Sequence, residues 1–139
     1  MDGRAQPGDS AAGVKARAVG TGGALGLVET VIPAGHSTPL HVHRHEDEAF
    51  YILTGTVDFV RGGERLRADA GVFVWLPRRI PHTFLGISEE PSQVLVIFLP
   101  GGLEEAFAEP TRFDEILRRH EVEVVGPPLL RPAGDPWLG

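Results

Sequence analysis

Short apolar runs separated by turn residues dominate the pattern along the chain. Leu25 to Ile32 reads as a first strand, closed by Pro33 and Gly35, and His41 to His43 as a second, short one. Strands follow at Glu48 to Leu53, Thr56 to Val60, Glu64 to Ala68, Gly71 to Leu76, His82 to Leu85 and Gln93 to Leu99. Gly55, Gly62-Gly63, Pro77 with Pro81, and Pro91 divide them. Short strands so closely spaced predict an all-β antiparallel sandwich or barrel. After Gly101-Gly102, Leu103, Ala106 and Phe107 recur at helical spacing. Thr111, Phe113, Ile116 and Leu117 predict a second short helix, and Asp114 and Glu115 suit its positive end.

Three units are expected: a disordered tail over residues 1–20, a β-domain with the C-terminal helices over 21–125, and a Pro/Gly-rich tail over 126–139. Within the second unit, Val122 to Val125 reads as a short extended segment. In Ala49 to Leu53, Val72 to Leu76 and Val94 to Leu99 both alternating faces are apolar, so the outer face needs a cover. The two helices or a second subunit would provide it, and a homodimer is the expectation.

Composition narrows the function. A chain of 139 residues fits one domain, and a net charge of -6 disfavours nucleic acid and anionic membrane as partners. No segment resembles a signal peptide or a membrane span, which makes a cytoplasmic, small-molecule-binding protein the expectation. Without cysteine, a metal would have to be held by imidazole and oxygen, a set that suits Fe, Mn, Ni, Cu or Zn. One lysine against twelve arginines, with abundant Ala, Gly and Pro, points to a GC-rich bacterial genome.

The histidines carry the chemistry. His41 and His43 are two apart, so on a strand both rings leave one face, whereas on a helix they would diverge by about 200°. Glu48, at the mouth of an apolar strand, needs a counter-charge, and a divalent cation held by neutral imidazoles supplies one. His82, after a strand and a Pro-bounded turn, completes a set of four. Three imidazoles and one carboxylate leave coordination positions open, which suits catalysis better than a closed structural site. His45 extends the alternation but lies in the charge run Arg44-His45-Glu46-Asp47, which reads as a solvated turn. Strand parity turns Phe50, Ile52 and Phe84 toward the metal as substrate contacts, and Tyr51 and Trp75 outward. Arg78 and Arg79 read as exposed turn residues, with a substrate-carboxylate clamp as the rival reading. His36, His120, Glu29 and Asp58 receive no role.

The chain resembles the cupin superfamily. Gly35, His41, His43, Glu48 and Gly55 match the spacing of its first motif throughout, and Gly71, Pro77 and His82 match its second. Arg79 stands where that motif usually has glycine, and Gly86 where it usually has asparagine. The resemblance covers about residues 23 to 100 and implies a jelly-roll barrel. It also implies dioxygenase chemistry on an aromatic or enol substrate, similar to bacterial quercetin-dioxygenase-like monocupins, with Glu48 as both ligand and base and with dioxygen as a second partner. A non-oxidative polyketide cyclase or isomerase using the metal as Lewis acid is the alternative. A non-catalytic small-molecule binder is the third.

Overall fold

Alternating side-chain directions let each strand bury one face, and two antiparallel five-stranded sheets use this to enclose a single interior. The computed structural model describes residues 13–129. One sheet has the order β1-β2-β9-β4-β7, from Val14–Ala16, Gly26–Ile32, Ser92–Leu99, Asp47–Ile52 and Phe73–Leu76. The other runs β10-β3-β8-β5-β6, from Val122–Pro128, Pro39–His43, His82–Gly86, Thr56–Arg61 and Glu64–Asp69. Consecutive strands thus alternate between sheets for much of the chain, as an all-β jelly roll requires. Helices α2 (Glu105–Ala108) and α3 (Phe113–Arg119) lie between β9 and the last strand, β10.

The core is Val, Ile, Leu and Phe from both inner faces, with Ile52, Val57, Phe59 and Val94 fully buried. Phe50 packs against Phe59 and Phe84 at ring-centroid separations of 5.1 and 5.5 Å, contacts worth about 0.5–1.5 kcal/mol each beyond burial. On β5 the alternate position, Asp58, faces outward yet is 1% exposed, with its carboxylate gripped by Arg65 and Arg67.

Two expectations are corrected. Residues 14–20, assigned to a disordered tail, are ordered: Val14–Ala16 is an edge strand on β2, and Ala18–Thr21, which runs one residue into the next unit, forms the short helix α1. The part of that tail before residue 13 lies outside the described residues. What fixes the segment is distant in sequence: Arg17 makes a bidentate ion pair with Glu105, and buried Glu104 accepts the Ala18 and Gly102 N–H groups. At the other end, Gly126 and Pro128 continue β10 against Leu40 and Pro39, so the strand outruns the predicted Val122 to Val125 and takes in the start of the expected tail. Residues 130–139 lie outside the described residues.

The outer face of β4, β7 and β9 has two candidate covers, the C-terminal helices and a second subunit. The C-terminal helices do not cover it; they bury Leu103, Ala106 and Ile116 in the core and turn Phe107, Phe113 and Leu117 onto the barrel cavity. Tyr51, Phe73 and Trp75 therefore stay 36%, 55% and 38% exposed.

Gly26 gives this scaffold a test. A Cβ there would overlap Glu104 Oε1, so alanine must displace a buried carboxylate from two backbone N–H groups. Gly26→Ala is expected to cost about 2–3 kcal/mol, read as a lower urea midpoint at unchanged m-value.

Candidate metal centre

His41 on β3 pairs in register with His82 on β8, and His43 lies two residues along the same face of β3. All three rings thus project inward from one sheet. Glu48 comes from β4 in the opposite sheet, where its neighbours are Leu76 and Phe98. One donor atom from each of the four residues fits within a mutual separation of 4.8 Å. The ring centroids of His41 lie 5.0 Å from His43 and 4.5 Å from His82.

Tautomers are set locally. His41 Nδ1 donates to the Pro39 carbonyl at 2.8 Å, which leaves its Nε2 lone pair free for a cation. His82 Nε2 lies 2.9 Å from Glu48 Oε1, and His43 Nε2 lies 3.3 Å from the same oxygen without good hydrogen-bond alignment. His43 and His82 are 4% and 1% exposed, and both ring nitrogens of His43 and Nδ1 of His82 meet no hydrogen-bond partner among the described residues. Buried, unsatisfied imidazole nitrogens gathered round one carboxylate are what a divalent cation would satisfy. The four residues fit a transition metal with nitrogen and oxygen preference.

Electrostatics agree with that donor set. Burial pushes the Glu48 carboxyl up, but contacts with His43 and His82 and their charges outweigh it and hold the group well below the usual carboxylate range. Burial, reinforced by His82, pushes His41 down to about 4, so its ring is neutral at physiological pH and able to ligate. Burial works against charge on His43, yet Glu48 and Glu46 raise it above the ordinary imidazole value.

His41, His43 and Glu48 form part of the wall of a cavity of about 360 Å³. Phe50, Phe84, Phe98, Phe107 and Phe113 form much of its surface, with Thr30, His36 and Thr38 as polar exceptions beside the ligands. Phe50 and Phe84 are where parity puts them. Ile52 shares that parity but is a core residue outside the cavity: four residues past Glu48, about 13 Å along the strand, it pairs with Val94 among close-packed side chains.

His45 is exposed beside Glu121, as a surface residue should be. Its neighbour Glu46 departs from the solvated-turn reading, being 2% exposed and bonded to His120 at 2.7 Å. Arg78 is tied to Asp47 and the Leu99 carbonyl and lines no part of the cavity. Arg79 adopts φ 67°, the left-handed conformation for which glycine is favoured at that motif position. Sequence reasoning passed over Phe98, Phe107, Phe113 and Leu117; only Phe98 was within its reach, through alternation with Val94 and Val96 on β9.

Comparison with known proteins places this geometry. A family model described as Cupin domain matches residues 28–98. The uncharacterized protein MJ1618 of Methanocaldococcus jannaschii is 30% identical over 74 residues, 53% of this chain and 59% of that protein. The chain thus spans less than two thirds of that relative's length. Among solved structures, TT1209 from Thermus thermophilus is similar with a TM-score of 0.53 and 26% identity over 56% of this chain and 74% of that one. A putative sugar phosphate isomerase from Acidithiobacillus ferrooxidans gives a TM-score of 0.50 and 27% identity over 55% of this chain and 50% of that one.

The ligand set makes a direct prediction: alanine at His41, His43, Glu48 or His82 should reduce bound divalent metal well below the wild-type one equivalent after dialysis, measured by mass spectrometry, while His45→Ala retains it. Retention in His82→Ala would remove that residue from the set. With the inward histidines of β3 and β8, the facing glutamate of β4 and a family match over half its length, the chain belongs to the cupin-domain family.

Proposed function

We propose that this protein is a metal-dependent enzyme acting on a largely apolar small molecule that carries an acidic hydroxyl, with dioxygenase chemistry on a flavonol-like, catechol-like or polyketide enol substrate. The observation that carries this reading is the Phe-lined cavity ending on the buried carboxylate of Glu48. Apolar walls strip water from a planar ring, and aromatic side chains contact its faces and edges.

His41, His43, Glu48 and His82 would hold the metal; bound there, a redox-active ion supplies electron transfer between the substrate and dioxygen. Glu48 accepts the hydroxyl proton: the substrate O–H bond breaks, the proton passes to the carboxylate, and the electron pair stays on the substrate oxygen. Phe50 and Phe84 hold the ring against Glu48 from the barrel side, and Phe107 and Phe113 close over it from the helices.

Similarity to a putative sugar phosphate isomerase raises a non-oxidative reading. Among the described residues no Lys or Arg lines the cavity, so a phosphorylated sugar would enter without a basic side chain to pair its phosphate. Cyclisation or isomerisation of an apolar polyketide with zinc as Lewis acid suits the same walls better. Binding without turnover is the remaining reading, and the kinetic test addresses it.

Oxygen uptake decides between them. Protein loaded with iron, nickel, manganese or copper should consume dioxygen with a flavonol or catechol-like substrate, and Glu48→Gln should lower kcat about 10²- to 10⁴-fold. No uptake with any of these metals would sink the oxygenase reading, and product formation with zinc alone would favour the cyclase.

We also propose that a second copy of the chain covers Tyr51, Phe73 and Trp75, because the helices occupied elsewhere leave this face without a cover. Light scattering at micromolar concentration should give twice the chain mass, and Trp75→Arg should return it to one.

A further inference from the structure

Glu46 lies outside the ligand set and is nevertheless one of the most buried charged residues described. Its two oxygens face different partners. Oε2 accepts from His120 Nδ1 at 2.7 Å; Oε1 lies 4.0 Å from His43 Nδ1. Neither Oε1 nor His43 Nδ1 has a hydrogen-bond partner among the described residues. Two unsatisfied buried atoms, an acceptor and a ring nitrogen, thus face one another across a gap slightly longer than a hydrogen bond.

Ligation by His43 resolves the pair. An imidazole that gives its Nε2 lone pair to a cation carries its proton on Nδ1, and that proton requires an acceptor. A shift of about 1 Å brings Glu46 Oε1 within reach. The carboxylate is itself restrained, since His120 caps the end of α3 and its ring is seated over Gly102, where a Cβ would come within 2.6 Å. Helix α3 also supplies Phe113 and Leu117 to the cavity wall.

We infer that Glu46 is a positioning residue for His43: it accepts the Nδ1–H bond that aims the ring at the metal, and His120 holds it there and couples it to helix α3. This rests on the metal-site reading above. The same carboxylate then sets both the direction of one ligand and the seat of the helix that walls the cavity.

The test is zinc titration of the full chain against a competing chelator, together with long-range proton–nitrogen NMR of the histidine rings. Glu46→Ala should weaken zinc binding about 10- to 100-fold. Glu46→Gln, which keeps an acceptor oxygen and the side-chain shape, should recover part of that loss. His120→Ala should weaken binding less, and the double variant no more than Glu46→Ala alone, because both break one chain of contacts. In zinc-loaded wild type the His43 Nδ1 proton should be visible and slow to exchange; in Glu46→Ala it should exchange fast while His41 is unchanged. Equal zinc affinity and unchanged His43 signals in Glu46→Gln and Glu46→Ala, with only a lowered Tm, would make the residue structural and overturn the inference. Failure of wild type to bind zinc would instead overturn the metal site itself, and the inference with it.

Discussion

Glu48 facing His43 and His82 across the barrel interior is the interaction on which the site depends. It joins the two sheets through the polar groups they turn inward: one contributes three imidazoles, the other a single carboxylate. Leaving any of these unpaired in an apolar interior would cost several kcal/mol. The charge arrangement is consequently self-consistent before a cation arrives. Glu48 is held ionised by its imidazole neighbours, and His41, deprived of charge by burial, keeps a lone pair to donate.

Much of this was legible because two periodicities coincide. A strand repeats every two residues, so the His41-x-His43 spacing specifies a shared face without any knowledge of the partner strand. Phe50 and Phe84 follow from the same parity counted from Glu48 and His82. Parity, however, gives direction and not depth. Ile52 points inward like Phe50, but along the strand it has already passed from the cavity into the packed core.

What stayed hidden depends on contacts between distant parts of the chain. Val14 to Ala16 has little local signal, and its order comes from β2 and from Glu104 and Glu105, nearly ninety residues later. Glu46 sits in a run of charges that ordinarily faces water, and it is buried because His120 returns from the end of α3 to meet it. The cavity-facing side of the helices was equally closed to sequence reasoning, since helical spacing identifies an apolar stripe but not the surface it meets. Arg79 is instructive in the opposite sense: a departure from the glycine usual at that motif position is accommodated by an arginine in the left-handed conformation, with the neighbouring His82 still in register with His41.

The cavity wall is divided by chain position. Ligands and the inner phenylalanines belong to strands whose registers hold the barrel together, whereas Phe107 and Leu117 belong to helices, and Phe113 to the start of one, in the segment between β9 and β10. Substitutions at these three positions reshape the cavity wall without entering a strand register, whereas a change at His120 in the same segment reaches Glu46 and, beyond it, His43. The segment is thus divided in itself: its apolar residues shape what the cavity can admit, and His120 reaches down to the ligand cluster through Glu46.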